Sequence, residues 1–505
     1  METGGMEFGA PRASSSWWAE WQLVVGVALA IWLVYEQLSY IWKGKHLPGP
    51  KFVVPFLGDV FRMVKDPTKF WDDQAKAATK VGLSWNVLFG RFVLFVRDSE
   101  MSQKIFANVK PDVFHLVGHP FGKKLFGEDN LIFMFGDEHR DLRRRLAPNF
   151  TYKALGVYVS IQERMIRKHI AQWLEMHKAG PMTMRLLLRD LNLETSQATF
   201  VGPYLDEAAR VQFKKDYNFF NTGLMSFPVN LPGFAYHEAT KAVPRLIKAL
   251  SNCSRMSRER MIQGEEPSCL IDFLVQETLR EIQEAEAAGG PPPGHSSDWE
   301  IGALIFDFLF AAQDASTSSL AWSCAFLDSH PEILQRVRDE QRRVRPDVTA
   351  PVTPEMLKEM EFTTMVVKEV LRIRPPAPMV PHIASTDFAI TDTYKVPKGT
   401  IVFPSLLESS FQGFTDPYKF DPDRFSLERQ EDVLYKRNWL LFGAGPHQCV
   451  GQRYALNHLT LFVALFTTLV DMERLRTPGC DDLLYTPTIS PKDELMCRMT
   501  ARVVS

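Results

Sequence analysis

A single cysteine, Cys449, lies in a glycine-rich window just ahead of an amphipathic helix. Glycines at positions 443, 445 and 451 permit backbone conformations that are closed to other residues. A cysteine ahead of a helix N-terminus feels the positive end of the helix dipole and the N–H donors of the loop, and both favour the thiolate. A thiolate without a second cysteine nearby suits one axial bond to haem iron or a nucleophilic attack. An inert buried thiol is the structural alternative.

Two arginines and a glutamate earlier in the chain could form a charge network. Glu369 and Arg372 are three residues apart and share one face of a predicted helix, which a proline-rich run from Pro375 ends. Arg424 offers a second guanidinium in the segment Asp-Pro-Asp-Arg-Phe. A glutamate–arginine pair at this spacing is common on surface helices. The order is more informative: a long apolar helix, the pair, Arg424 and then the cysteine window.

The composition excludes several classes of protein. The 505 residues carry 58 Lys and Arg against 60 Asp and Glu, a net charge of −2, so the chain lacks the positive surplus of a nucleic-acid-binding protein. Hydrophobic residues make up 45% and charged residues 23%, which excludes a mostly disordered chain. Six cysteines without a CxxC pair exclude a disulfide scaffold, a zinc finger and a thioredoxin-like motif.

An apolar segment near the N-terminus predicts a membrane anchor. The 22 residues Trp21–Trp42 contain one charge, Glu36, and as a helix they rise about 33 Å, enough for a hydrocarbon core of about 30 Å. A cleaved signal peptide and a buried core helix are the alternatives, and the acidic flank before the segment argues against the first. Lysines that follow the segment predict that the body faces the cytosol, namely Lys43, Lys45 and Lys51.

The body of the chain is helix-rich and shows no internal repeat. Helical periodicity predicts helices near 151–178, 204–222, 238–263, 299–328, 331–344, 361–373 and 452–471, and short strands at 92–97 and 400–403. The predicted organisation is a flank over 1–20, a transmembrane anchor over 21–42, a basic and proline-rich hinge over 43–58 and one catalytic domain over 59–505.

Taken in order, the motifs resemble those of the cytochrome P-450 haem-thiolate superfamily over essentially the whole chain. The resemblance implies a mainly α fold with small β-sheets (α+β) behind an N-terminal transmembrane helix. It implies that Cys449 is the axial thiolate ligand to the iron of haem b, and that Glu369, Arg372 and Arg424 form a structural triad. It also implies electrons from NADPH through an NADPH–cytochrome P-450 reductase, since the chain has no flavin-binding fingerprint.

The expected oxygen-side helix departs from the superfamily pattern Ala-Gly-x-acid-Thr. Its sequence is Ala311-Ala312-Gln313-Asp314-Ala315-Ser316-Thr317. The acid is retained, an alanine replaces the usual glycine, and the hydroxyls are displaced. One helical step turns a side chain by about 100°, so Ser316 is not a direct substitute for the usual threonine. The candidate catalytic residues are Asp314, Ser316 and Thr317, with back-bonding of the two hydroxyls to helix carbonyls as the alternative.

Histidines stand where the superfamily usually has contacts to the haem propionates. The usual Trp-x-x-x-Arg element here contains His139 and Arg143, while His382 and His447 replace arginines. A histidine binds a propionate well only by donating a proton, so we expect some of these imidazoles to be cationic beside haem. Phe442 completes the expected cofactor contacts. An ordinary hydrogen-bonded histidine is the alternative at each position.

The windows Phe310–Thr317 and Phe442–Cys449 look like those of the plant sterol C-22 desaturases, and 451–458 strengthens the match. That family introduces a double bond into a sterol side chain, for example converting sitosterol into stigmasterol with O2. The implied location is the endoplasmic reticulum membrane, with a single span. Within the superfamily the alternative is a sterol or lipid hydroxylase. Outside it, the alternatives are a non-catalytic haem- or sterol-binding membrane protein and a cysteine hydrolase.

Apolar segments predict the sterol contacts and a basic cluster predicts the reductase contacts. Core packing is the alternative for the apolar side chains, and an ordinary solvated surface is the alternative for the basic ones. The predicted pocket residues are Phe114, Phe121, Phe220, Leu224, Ala311, Ala312 and Ala315. The predicted basic surface comprises Arg140, Arg143, Arg144, Arg145, Lys436, Arg437 and Arg453.

Overall fold

The computed structural model describes residues 15–117, 122–127, 130–486 and 488–502. The chain divides into two compact units, one that ends at Leu94 and one that begins at Phe95. The predicted fold class is confirmed, because helices dominate both units and the strands are short. The predicted limits of the flank, anchor, hinge and catalytic domain stay predictions.

The described residues contain helices of very different length, and those that the periodicity predicted are all present within a few residues of their predicted ends. In chain order they are α1 Ser15–Lys43, α2 Val60–Lys65, α3 Pro67–Ala77, α4 Ser99–Ala107, α5 Gly122–Phe126, α6 Gly136–Leu146, α7 Tyr152–Met176, α8 Met184–Phe200, α9 Glu207–Leu224, α10 Ala235–Ile262, α11 Leu270–Ala287, α12 Asp298–Ser329, α13 Pro331–Val344, α14 Pro354–Glu359, α15 Glu361–Ile373, α16 Leu406–Ser409, α17 Glu431–Leu434 and α18 Gln452–Leu469.

The strands are β1 Leu83–Leu88, β2 Arg91–Val96, β3 Phe114–Leu116, β4 Met182–Thr183, β5 His382–Ala384, β6 Phe388–Ala389, β7 Lys395–Val396, β8 Ile401–Pro404, β9 Val470–Arg474, β10 Leu483–Thr486, β11 Thr488–Pro491 and β12 Met496–Ala501. In the second unit β5 pairs antiparallel with both β3 and β8, which places His382 opposite Leu116 and Val402. Strand β12 pairs antiparallel with β4 and β9, and β10 with β11.

Helix α1 covers the predicted anchor, and its C-terminal turns are fastened to the rest of the first unit. The segment Glu20–Lys43 is long and apolar enough to cross a membrane, and only 11% of its most apolar window is buried. Gln37 exchanges two hydrogen bonds with the backbone of Val53, and Glu36 accepts one from the backbone N–H of Phe56. The end of α1 is therefore hydrogen-bonded to the predicted hinge, and the exposed apolar side chains of α1 lie mainly before Glu36.

Helix α12 is the central element of the second unit. It begins with a capping box in which Ser297 and Glu300 satisfy each other's backbone N–H groups. Its side chains are buried on nearly all faces, as expected for a helix that is apolar all round. One hydrophobic core packs α12 with α7, α13, α15 and α18, and a second packs it with α9, α10 and α11. This burial fixes the position of the predicted catalytic segment.

Candidate active site

Cys449 is held by a tight loop that only glycines allow. The backbone N–H of Cys449 donates to the carbonyl of Phe442 at 2.8 Å. Gly443 and Gly445 both have φ of +71°, a conformation that other residues rarely adopt. A side chain at Gly445 would also collide with the carbonyl oxygen of Phe106. Phe442, predicted to contact the cofactor, is half-buried and packs against the hydrophobic core that contains α18.

Cys449 is accessible to solvent, but many protein atoms surround its thiol. Burial by these atoms is therefore the largest influence on the pKa of Cys449. Burial raises the pKa of Cys449, while the backbone N–H of Gly451 and the charge of Arg143 lower it. The loop donor therefore acts in the predicted direction, but burial outweighs it. A metal ion deprotonates a coordinating thiol outright. Coordination to iron would therefore produce the thiolate form of Cys449 that the loop alone does not stabilise.

Arg143 and three histidines gather beside this loop. The rings of His139 and His447 stack with their centroids 4.0 Å apart. Burial, and next the charge of Arg143, lowers the pKa of His139 to about 4. Burial and the neighbouring His139, Arg143 and His382 lower the pKa of His447 to about 3. The structure thus brings together the four side chains that the resemblance assigns to the propionates.

His382 has a defined hydrogen-bonding direction. Its Nδ1 lies 2.8 Å from the carbonyl of Val380, which can only accept, so Nδ1 carries a proton. Burial lowers the pKa of His382 to about 4, so its ring is neutral near pH 7. Because the one proton of the neutral ring is on Nδ1, Nε2 is a hydrogen-bond acceptor. Such a ring donates to a carboxylate through Nε2 only when it is protonated. The expectation of cationic histidines concerns the haem-bound protein and stays a prediction.

The arrangement fits a haem group, and Arg143 is the observation that carries this conclusion. Arg143 is half-buried, and among the described residues no acidic side chain pairs with it. Burial lowers its pKa, because a desolvated cation without a counter-ion is costly. A propionate would supply the missing negative charge, next to a thiol able to ligate iron.

The three residues of the predicted triad lie together and have a fourth partner. Arg372 Nε lies 2.8 Å and Arg424 Nε lies 3.0 Å from the same oxygen, Oε2 of Glu369, and all three side chains are fully buried. The Nε–H of Arg424 is not directed for a hydrogen bond there, so this contact is an ion pair only. Arg424 also pairs through Nη1 with Glu431 at 3.0 Å. Two buried carboxylates therefore balance two buried guanidinium groups.

Backbone groups complete this network and show what it holds. Arg372 donates through Nη1 to the carbonyl of Ser410 at 3.0 Å, and Arg424 donates to that of Thr415 at 2.7 Å. Oε1 of Glu369 accepts from the backbone N–H of Asp421 at 2.9 Å. The network thus fastens α15 to the segment 410–425. This segment leads to α17 and then to the cysteine loop.

The candidate catalytic residues of α12 have different surroundings. Asp314 pairs with Arg189 of α8 at 3.3 Å. Burial raises the pKa of Asp314 despite that cation. Thr317 donates to the carbonyl of Gln313 at 2.8 Å and accepts from the side-chain amide of Asn192 at 3.0 Å. The back-bonding alternative therefore holds for Thr317, whose hydroxyl is committed on the side that faces α8.

Ser316 is buried like Thr317, but it differs from Thr317 because it makes no hydrogen bond within the described ranges. The three alanines of this segment mark an open face of the helix. Ala311 is exposed, and Ala312 and Ala315 are partly exposed, although most of their neighbours on α12 are buried. The small side chains leave space beside the helix where the resemblance expects substrate and oxygen.

The other predicted pocket residues separate into different places. Phe220 is fully buried, and its ring centroid lies 5.0 Å from that of Phe306 and 5.7 Å from that of Phe310 on α12. Leu224 is buried in the same core. Phe114 is fully buried on β3 and packs on Phe388, with ring centroids 4.9 Å apart. These contacts agree with the alternative that Phe114 packs in the core. The predicted pocket residue Phe121 lies outside the described residues.

The predicted basic surface is smaller than the sequence suggested. Arg145 is buried and pairs with Glu281 at 2.7 Å, and Arg143 is the residue beside Cys449, so neither contributes to the surface. Arg140 and Arg144 are exposed, and each pairs with an exposed aspartate one turn earlier, Asp137 at 3.0 Å and Asp141 at 3.7 Å. The exposed basic residues that remain are Arg140, Arg144, Lys436, Arg437 and Arg453.

Sequence patterns did not indicate several members of the site. Glu431 has no recognisable spacing to the triad, because it reaches Arg424 through a turn and not along a helix. Arg189 and Asn192 are 125 residues away from their partners Asp314 and Thr317. The periodicity predicted no helix over residues 189–192, and a spacing of three residues alone does not indicate which helix they meet.

Comparison with known proteins gives consistent matches. A family model described as Cytochrome P450 matches residues 47–471. Cytochrome P450 710A2 of Arabidopsis thaliana is 54% identical over 482 residues, which are 95% of this chain and 96% of that protein. C-22 sterol desaturase erg5 of Aspergillus fumigatus is 34% identical over 482 residues, 91% of each chain.

A solved structure shows the same fold. Retinoic acid bound cyanobacterial CYP120A1 aligns with a TM-score of 0.75 at 24% identity, covering 90% of this chain and 99% of that one. These matches confirm the resemblance that the motifs indicated and the fold class expected from it.

Proposed function

This chain belongs to the cytochrome P450 family, and from that premise we propose that it introduces a C-22 double bond into the side chain of a membrane-borne sterol. The observation that carries this proposal is the match, over almost the whole chain, to relatives named as C-22 sterol desaturases. In the reaction, two neighbouring side-chain carbons each lose one hydrogen. O2 takes up these hydrogens, two electrons from NADPH and the accompanying protons, and becomes two molecules of water.

Members of this family carry haem on a cysteine thiolate, and we assign Cys449 to that role. Bound haem supplies the oxidising chemistry, with electron density from the thiolate favouring O–O cleavage. Arg143 would neutralise one propionate, since no acidic side chain among the described residues pairs with it. His139, His382 and His447 would surround the propionates. The glycine turns at 443 and 445 fix the direction of the sulfur.

Side chains of α12 position the substrate and manage protons. Ala311, Ala312 and Ala315 leave the open face against which the sterol side chain would lie. Asp314 takes up a proton more readily than an exposed aspartate, because burial raises its pKa. Ser316 keeps an uncommitted hydroxyl and is our candidate for passing a proton, whereas Thr317 is held by Gln313 and Asn192. The position of the sterol side chain, within fractions of an ångström, determines whether a second hydrogen is removed or a hydroxyl group is added.

The cellular setting follows from the same premise. Members of the family draw electrons from a redox partner, and we propose that here it is an NADPH–cytochrome P-450 reductase. It would dock on the basic surface formed by Arg140, Arg144, Lys436, Arg437 and Arg453. We propose that α1 anchors the chain in the endoplasmic reticulum membrane as a single span, with the catalytic domain in the cytosol. The lysines after the span support this orientation.

Product analysis tests the proposal. The purified holoenzyme is combined with reductase, NADPH and sitosterol, and the sterols are identified by gas chromatography and mass spectrometry. We expect an alkene two mass units lighter than sitosterol, formed only with NADPH and absent with the Cys449→Ala variant. A side-chain alcohol would identify a hydroxylase instead. NADPH-independent sterol binding without any product would identify a binding protein.

A further inference from the structure

A cavity of about 320 Å³ lies between α5, α10 and the N-terminal half of α12. Its apolar walls include Phe126, Val243, Ile247 and Ala303, and the carboxyl group of Asp307 lies among them. The lining therefore combines apolar walls with polar side chains, namely Asn130, Thr240, His295, Glu300 and the buried Asp307.

Asp307 has an unusual environment for a carboxyl group. It is only 7% exposed, and it accepts hydrogen bonds from the side-chain amide of Asn130 and, at 3.1 Å, from the backbone N–H of Leu131. Among the described residues no basic side chain pairs with it. Burial raises the pKa of Asp307 well above its ordinary value, so the protonated form, which both donates and accepts, is favoured.

The position of Asp307 on α12 connects the cavity with the open face of the helix. Ala303, Asp307 and Ala311 follow one another at intervals of four residues and so share one helix face. The distance along the helix axis from Asp307 to Ala311 is about 6 Å. Phe126, a wall of the cavity, also packs on Phe310 with ring centroids 4.8 Å apart. The cavity wall and Ala311 therefore lie on the same side of α12, and this is the side along which we place an elongated apolar molecule.

We propose that Asp307 binds the ring hydroxyl of the sterol and thereby determines which side-chain carbons reach the open face of α12. This proposal rests on the proposed function. A sterol carries its hydroxyl on C-3 at one end of a rigid apolar nucleus, and the side chain leaves from the other end. A protonated carboxyl group and a hydroxyl can each donate to and accept from the other. A rigid nucleus fixed at one end presents a fixed carbon at the other.

The alternative role for Asp307 is structural, since it also holds the segment at Asn130 and Leu131. Glu340 on α13 offers a matched control. It is 8% exposed, has no basic partner among the described residues, and accepts backbone hydrogen bonds from Phe362 and Thr363 at 2.6 and 2.9 Å. Its replacement removes a similar buried tether that is not part of the cavity wall.

The test compares two ligands on each holoenzyme preparation: sitosterol and its analogue without the 3-hydroxyl. Dissociation constants come from equilibrium dialysis of labelled sterol in detergent micelles. The ratio of the two constants does not depend on the folded fraction. We expect wild type to prefer sitosterol by about tenfold or more, because the analogue leaves a buried polar group without its partner. Asp307→Asn keeps a donor and an acceptor and should keep the preference within about threefold.

Asp307→Leu and Asp307→Ala should each reduce the preference to less than about twofold, whereas Glu340→Leu should leave the wild-type ratio unchanged. An unchanged ratio in Asp307→Leu or in Asp307→Ala, or no preference in wild type, overturns the assignment. If wild type forms the 22-alkene but the ratios do not change, only the role of Asp307 fails. If it forms no alkene while the ratios change as expected, the proposed reaction fails and the hydroxyl site stands.

Discussion

Replacing Glu369 with glutamine removes the negative charge that two buried guanidinium groups share. The amide oxygen can still accept from the backbone of Asp421 and from Arg372 Nη2, each now 2.9 Å away. The new amide N–H group then faces Arg372 Nε and Arg424 Nε, which lie 2.8 and 3.0 Å from the present oxygen and are themselves donors. Breaking a fully buried ion pair in this way costs about 3–5 kcal/mol.

Urea unfolding followed by circular dichroism measures this loss in free energy of unfolding. The control is Glu284→Gln, which removes one partner of the exposed Arg280–Glu284 pair and should cost less than about 0.5 kcal/mol. Because the network holds segment 410–425 and not the haem group itself, Glu369→Gln should lower stability before it lowers haem content per folded molecule. A loss below about 1 kcal/mol would refute the reasoning, since the network would then be contributing no more than a surface pair.

Three further predictions follow from the site. Hydrogen bonds from Thr415 and Arg429 outweigh burial and lower the pKa of Glu431 to about 2, so its contribution to stability is present above its ordinary pKa of 4.5 and is lost as the pH falls towards 2. The free energy of unfolding of wild type should therefore fall more steeply over that range than that of Glu431→Gln; parallel curves would contradict this. Reversing charge with Arg140→Glu and Arg144→Glu should slow reduction of the iron by reductase about tenfold at low salt in stopped-flow traces, with sterol affinity unchanged. An equal slowing by Arg280→Glu would show a non-specific effect. Ser316→Ala should lower the rate of product formation and leave urea stability unchanged, whereas Thr317→Val should lower stability by about 1–2 kcal/mol through the abandoned Asn192 amide; a reversed pattern would assign the proton path to Thr317.

Local spacing predicted much of this molecule because much of it is helical. The periodic segments gave the helices, and the cysteine loop was recognisable because its glycine turns are a property of the local backbone. The Glu369–Arg372 pair was equally local, since both residues lie on one face of α15. What local spacing cannot give is the direction in which a helix face points.

Helix α6 shows this limit most clearly. Arg143 and Arg145 are two residues apart in sequence, and a turn of about 200° over two helical steps places their side chains on nearly opposite sides of α6. One therefore lies beside Cys449, and the other is buried against Glu281 of α11. A cluster of arginines in one turn indicated a single basic surface only because the sequence does not specify which helices pack on α6. The same reason hid Arg189 and Asn192, whose partners lie on another helix.

The most direct test of the proposed reaction uses sitosterol that carries deuterium at both positions of C-22 and of C-23. The holoenzyme converts it with reductase and NADPH, and the product is analysed by mass spectrometry. Our account predicts an alkene that has lost one deuterium from each carbon and contains no added oxygen. A product that has gained one oxygen and keeps all deuterium on one of the two carbons would contradict it.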